Sequence, residues 1–191
     1  MFFSSLLSLF NRFGKGPTFF VEFAVSIEGR TKYFSVETAP VTLMPHAVHT
    51  FLHAVDEGLW NDTVFLHKNK HILQAAPQNS KGKSKVELLD SEARLVFPEY
   101  AADYSHSKYS LGFAGRPGGP SFYINISDNT QTHGPGGQAH HILHEEADAC
   151  FAKVFRGHSV VDALVKLSEN SNKKNPSVTI IKSAKMITPK R

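Results

Sequence analysis

Cys150-Phe151-Ala152-Lys153-Val154-Phe155-Arg156-Gly157 is a short apolar, aromatic-rich run stopped by a glycine, and it reads as a β-strand over residues 149–155. Ser159 stands where a helix N-cap is expected, followed by Val160, Val161, Leu164 and Val165 at helical spacing. Upstream, strands are expected at 63–66, 72–75, 110–114 and 122–126, and downstream at 177–186. Near the front, 19–26 and 32–38 alternate apolar and polar, and Glu28-Gly29-Arg30 between them suits a hairpin turn. One further helix starts near Pro45, presents Val48, Phe51, Leu52 and Val55 on one face, and stops at Gly58. Residues 78–85 are polar and basic, and 115–120 and 133–137 are rich in Gly and Pro, so all three are loops. Many short strands with two isolated helices describe a mostly β chain, a closed antiparallel barrel capped by two helices.

The remaining composition narrows the function classes. With 191 residues, 41% hydrophobic and 20% charged, the chain suits one domain with a short extension. A single cysteine, Cys150, excludes an internal disulfide and reads as a buried strand residue rather than a nucleophile. The net charge is +4. Its basic excess lies at Lys68, Lys70, Lys81, Lys83 and Lys85 and in the tail Lys182, Lys185, Lys190 and Arg191. No aromatic side chain interleaves the first cluster for base stacking, which argues against nucleic acid. No apolar run reaches the roughly 18–20 residues that span a bilayer. The compartment is left open, intracellular or organellar, with no transmembrane span expected.

Residues 1–17 are expected to be a leader, amphipathic or flexible, and 18–188 the domain. On a helix, Phe3, Leu6, Leu7, Phe10 and Phe13 would share one side, opposite Ser4, Ser5, Ser8, Asn11 and Arg12. That suits docking through residues 1–13 on a larger complex or a membrane surface, while a targeting remnant is the alternative. His46, His49 and His53 share a helical face turned away from the apolar one, and His140, His141 and His144 fall in a loop beside Glu145-Glu146. Neither set is expected to hold a metal, and no phosphate-binding glycine loop or other cofactor motif is present.

Met44-Pro45 through Phe51, Phe65 through Gln74, Leu111 through Ala114, Ser121-Phe122-Tyr123-Ile124, and Phe151 to Val154 with Gly157 and Val160-Val161 occur in an order that resembles the cyclophilins. The resemblance covers nearly everything after the leader. It implies a cyclophilin-like barrel that binds proline-containing protein or peptide segments and accelerates cis/trans isomerisation of the Xaa-Pro bond. Amide resonance sets that barrier near 20 kcal/mol. The family's chemistry needs no metal or cofactor. A cation donates to the prolyl nitrogen, whose lone pair is free only in the twisted transition state, so the bond favours that state over the ground state.

Matched position by position, the chain departs from the family pattern. The catalytic arginine falls on His67, or on Lys68 if a residue is missing before Gln74, which itself matches the peptide-binding glutamine. The resemblance assigns peptide contacts to Phe65, Ile72, Leu73, Ala114, Gly115, Ser121, Phe122, Tyr123, Asp148 and Phe151. Ser121 replaces a second glutamine, Tyr123 a pocket-floor phenylalanine and Asp148 a pocket-wall histidine. An imidazole with a pKa near 6.5 is mostly neutral at pH 7 and lacks the guanidinium fork. Arg116 either stands in a solvated loop or reaches the groove from another side. The expectation is a divergent member that binds proline segments with isomerase activity weak or lost, as a binding module or subunit. The alternative is an active isomerase assisting protein folding.

Overall fold

Glu28 and Gly29 both take positive φ, 49° and 76°, the backbone of a two-residue type I′ turn whose twist suits antiparallel strands. They join β1 (Phe20–Ile27) to β2 (Arg30–Thr38), with Ile27 opposite Arg30. The computed structural model describes residues 16–69, 71–88, 94–169 and 179–188, and only the backbone of 67–69, 88, 168 and 169. Leader residues 1–15 lie outside it. The remaining strands are β3 (Thr63–Asn69), β4 (Ile72–Ala76), β5 (Ser110–Phe113), β6 (Phe122–Asn125), β7 (Cys150–Arg156) and β8 (Thr179–Ile187). They pair antiparallel in the closed order β1-β2-β7-β5-β6-β4-β3-β8, with β8 returning to β1.

Helix α1 (Pro45–Asp56) begins with proline at its first turn, but its N-cap residue, Met44, makes no side-chain capping bond. Instead the buried Glu99 carboxylate accepts from the backbone N–H of His46 (3.1 Å) and Ala47 (2.6 Å). An anion there meets both the orphan donors and the helix dipole. At the other end Leu59 N–H reaches Ala54 O, and Gly58 N–H reaches Val55 O, with Gly58 at φ 68°. This is the Schellman closure that a glycine permits.

Helix α3 (His158–Glu169) starts one residue earlier than its expected cap, so Ser159 lies inside the first turn. The cap is the carbonyl of Gly157, which accepts from Val160 and Val161. Gly157 sits at φ 82°, and a Cβ there would stand 2.7 Å from both Phe34 Cα and Tyr33 O. Backbone atoms cannot yield, so the strand-to-helix corner requires glycine. Between the two long helices the chain adds a 3₁₀ turn at Val86–Leu88 and a four-residue helix α2 (Thr130–His133), both too short to show a helical period.

The alternating inner positions fill the barrel. Phe23 stacks on Phe34 (4.9 Å between centroids), Phe51 and Phe113 meet Phe151 (4.7 and 4.3 Å), and Trp60 stands edge-on to Phe122 (4.6 Å). Such pairs contribute about 0.5–1.5 kcal/mol each beyond area burial. Cys150 is fully buried, and burial pushes its thiol pKa up to about 12.

Candidate functional site

Three side-chain positions fall in one row across the sheet because Gln74 pairs with Tyr123 and Tyr123 pairs with Gly112. Directly opposed residues share a face. Leu73, Ala75, Phe122, Ile124, Leu111 and Phe113 alternate with them and point into the core. Gln74, Tyr123 and Gly112 therefore lie on the outer face of β4, β6 and β5.

Beside this row β3 is irregular. Leu66 pairs with Gln74 and Asn69 with Ile72, so His67 and Lys68 together oppose Leu73 alone. Two residues against one is a β-bulge. It leaves both expected cation positions at the strand edge of Gln74, and it is why spacing alone did not choose between them. Their side chains lie outside the described residues.

The other expected contacts divide by burial. Phe65, Leu73, Phe122 and Phe151 are core side chains, and Ile72, Tyr123 and Asp148 are buried as well. Gln74, Ala114 and Ser121 are half-buried and Gly115 is exposed. Ala114 N–H donates to Ser121 O (2.9 Å), which holds that pair together at the end of β5 and β6.

What buries Tyr123 is a polar layer centred on Asp148. Its Oδ1 accepts from Arg116 Nε (2.7 Å), and its Oδ2 from the Tyr123 hydroxyl (2.9 Å) and His133 Nδ1 (2.6 Å). Gln138 Nε2 also lies within 3.2 Å of Oδ2 and 3.0 Å of His133 Nδ1. Since the carboxylate only accepts, the shorter contact fixes the proton on His133 Nδ1, and the Gln138 amide donates to Asp148. The His133 ring then lies over Tyr123 at 4.7 Å, with His71 and His106 each 5.5 Å away. Its Nε2 is buried with no hydrogen-bond partner among the described residues.

Arg116 is not a solvated loop residue: its side chain is fully buried. Besides Asp148 it donates to the carbonyls of Gly137 (3.1 Å), Leu143 (3.0 Å), His144 (3.2 Å) and Gly134 (3.4 Å). The guanidinium thus binds the loop after α2 to the barrel. Gly134 and Gly137 have no space for a Cβ against the carbonyls of α2.

Electrostatics fit this layer. Burial alone would raise Asp148, but hydrogen bonds from His133 and Arg116 outweigh it and hold the carboxyl below its ordinary value. Burial pushes His106 down to about 4, so it is neutral at pH 7 and its Nε2–H donates to the Asp148 backbone carbonyl (2.9 Å). Burial, reinforced by the Asp148 charge, carries the Tyr123 hydroxyl well above its usual range. Burial, then the nearby His133, lowers His71. Gly112 completes the fit, since a Cβ there would stand 2.7 Å from Tyr123 Oη and 2.9 Å from His106 Cε1.

His71, His106 and His133 were not singled out in the sequence. Their one visible signal was His133 opening the Gly-Pro-rich run 133–137. Among the described residues, no three His, Cys, Asp or Glu side chains come together in a way that could hold a metal ion. No described helix is long and apolar enough to cross a membrane.

The family model "Cyclophilin type peptidyl-prolyl cis-trans isomerase/CLD" matches residues 37–186. Among solved structures, the chain is similar to a cyclophilin type peptidyl-prolyl cis-trans isomerase of Cryptosporidium parvum, with a TM-score of 0.66 at 16% identity over 91% of this chain and 100% of that one. A second crystal structure of that protein, in the presence of the dipeptide Ala-Pro, gives a TM-score of 0.64 at 17% identity over 89% and 99%. At these identities the structures speak for the fold alone. No curated protein matches the chain.

Proposed function

The chain belongs to the cyclophilin-type peptidyl-prolyl cis-trans isomerase family, and from that premise we propose a protein that binds proline-containing segments with isomerase activity weak or lost. The observation that carries the reading is the Asp148 layer. Tyr123 shares its row with Gln74, yet it lies beneath the His133 ring instead of lining an open pocket. The described arginine closest in sequence to Ala114, Arg116, has its donors on Asp148 and four loop carbonyls. A guanidinium so engaged, on a fully buried side chain, is turned to the layer and away from a prolyl nitrogen.

On this reading the peptide lies along Gln74, Ala114, Gly115 and Ser121, the margin that the layer leaves accessible. His67 or Lys68, at the bulge next to Gln74, is the residual electrophile. The role is that of a binding module in a larger assembly, with residues 1–13 as the attachment. One observation favours the alternative of a working isomerase: the bulge sets two basic positions at the edge of a half-buried glutamine, enough for a slow reaction if either reaches the prolyl nitrogen.

Exchange spectroscopy on a short Xaa-Pro peptide decides between them. Wild type is expected to leave the exchange rate near its buffer value, and His67→Arg to raise it. Acceleration by wild type well above buffer rejects the silent reading.

A further inference from the structure

Residues 134–147 add no strand to the barrel, and the side chains that tie them to it converge on two residues. Arg116 holds the carbonyls of Gly134, Gly137, Leu143 and His144, while the Asp148 carboxylate holds Gln138 and the His133 ring of α2. Asp148 N–H also donates to His133 O (2.9 Å). With no ladder bond at stake, the segment can open while the ring of strands stays closed. Its departure would uncover Tyr123, 1% exposed beneath the His133 ring. Under the same cover lies His106, fully buried. Its Nε2–H is committed to the Asp148 carbonyl, and its Nδ1 faces Tyr123 Oη (3.4 Å) and Asn125 Nδ2 (3.5 Å), the latter itself a donor. The charged and titratable groups around the ring are His133 on α2, Arg116 in the β5–β6 loop, Tyr123 on β6 and Asp148 ahead of β7; β5 offers only Gly112. His71 stands 5.5 Å from His133 in turn. The Asp148 carboxylate already balances Arg116, so a proton added at His106 or His71 is an uncompensated cation at a place with little water.

We propose that residues 130–147 are an acid-released cover over Tyr123, and that proline-containing segments bind more tightly once it lifts. The second half rests on the binding reading above; the release itself does not. Lifting α2 removes the His133 ring from His106 and the Asn129 N–H from the His106 carbonyl, which lets water reach the imidazole. Closed, His106 takes its proton only near pH 4, whereas an imidazole in water takes it near 6.5. The closed form is therefore favoured above pH 6.5 and loses ground as pH falls toward 4. By linkage, the open fraction should grow about twentyfold between pH 7 and pH 5. A peptide that needs the open form should gain affinity by up to about the same factor.

Amide hydrogen exchange of the full chain, resolved by NMR and corrected for the intrinsic effect of pH, tests the release. The His133 and Asp148 amides report on the cover, since they donate to Asn129 O and His133 O; Val48 in α1 and Val154 in β7 serve as references. Protection of the first pair is expected to fall about twentyfold from pH 7 to pH 5, with the references unchanged and the dependence lost in His106→Gln. Protection that ignores pH overturns the proposal, and so does an equal loss at the references, which makes the barrel open as one unit. If His106→Gln does not fold, the ring nitrogens of wild-type His106 decide: titration near 4 is expected, and titration near 6.5 in the folded chain overturns the linkage. A short Xaa-Pro peptide titrated at both pH values reads the second half. Tighter binding at pH 5 is expected, and a cover that lifts without a gain in affinity refutes the gate. A cover that lifts with no binding at either pH upholds the release and refutes the binding reading instead.

Discussion

Replacing Arg116 by methionine removes one charge from the polar layer while keeping most of the side-chain length. The Arg116 side chain is fully buried and that of Asp148 is 3% exposed, so the pair lies in the regime where deleting one member costs about 3–5 kcal/mol. Donors from Tyr123, His133 and Gln138 still reach the carboxylate and pull the figure toward the lower end. The carbonyls of Gly134, Gly137, Leu143 and His144 lose their donor and push it back up. At roughly 2–4 °C per kcal/mol for a chain of this length, Tm should fall on the order of 10 °C. Urea unfolding followed by Trp60 emission measures the change, since Trp60 is the single tryptophan and is fully buried. A cycle with Asp148→Asn should show a coupling of about 1–3 kcal/mol. A loss under about 1 kcal/mol, or an additive cycle, would mean that the pair behaves like an exposed one, and the layer as described would be wrong.

Three further outcomes are expected. The unfolded imidazole of His106 takes its proton near pH 6.5 but the folded one only near 4; stability is thus full above pH 6.5 and should decline by about 3 kcal/mol as pH falls to 4. Asp148, held below its ordinary value, steepens the loss below about pH 4; His106→Gln should flatten the upper window, and a wild-type profile already flat there contradicts the burial argument. Gly157→Ala should destabilise by about 1–2 kcal/mol from positive φ alone, with the contact to Phe34 adding to it, and a neutral thermal melt would refute the corner geometry. Cys150, with its pKa pushed up to about 12, should react with a disulfide reagent only as fast as the protein opens, so rapid stoichiometric labelling of the native chain would place the thiol at the surface.

The barrel was legible because its signals are local. The Glu28-Gly29 turn, Pro45 at a helix start, Gly58 at a helix end and the period-2 runs each act within a few residues, and all reappear with ends shifted by up to three residues. The Ser159 cap failed for a local reason too, since the adjoining glycine turned the chain first. The polar layer was not legible. Arg116 and Asp148 lie 32 residues apart, Glu99 caps a helix 53 residues before it, and nothing in either neighbourhood announces the partner. Matching to a family pattern located Asp148 and Tyr123 as positions but not the hydrogen bonds that Asp148 accepts from Tyr123 and His133, because alignment carries side-chain identity and says little about what lies over it. The His67/Lys68 ambiguity is a third kind: a bulge changes which residue faces the site without changing composition.

The closure of the barrel has a consequence for how the protein is made. β1 finds β2 through a two-residue turn as soon as both have emerged, but its other edge, and one edge of β3, wait for β8, which begins at Thr179. Until that strand emerges from the ribosome, the nascent chain carries two open hydrogen-bonding rims beside a nearly complete aromatic interior. Such rims are templates for pairing with other chains. The vulnerable interval in the life of this molecule is therefore the one before β8 is available, when holding the rims apart from neighbours matters more than any later challenge to the finished ring.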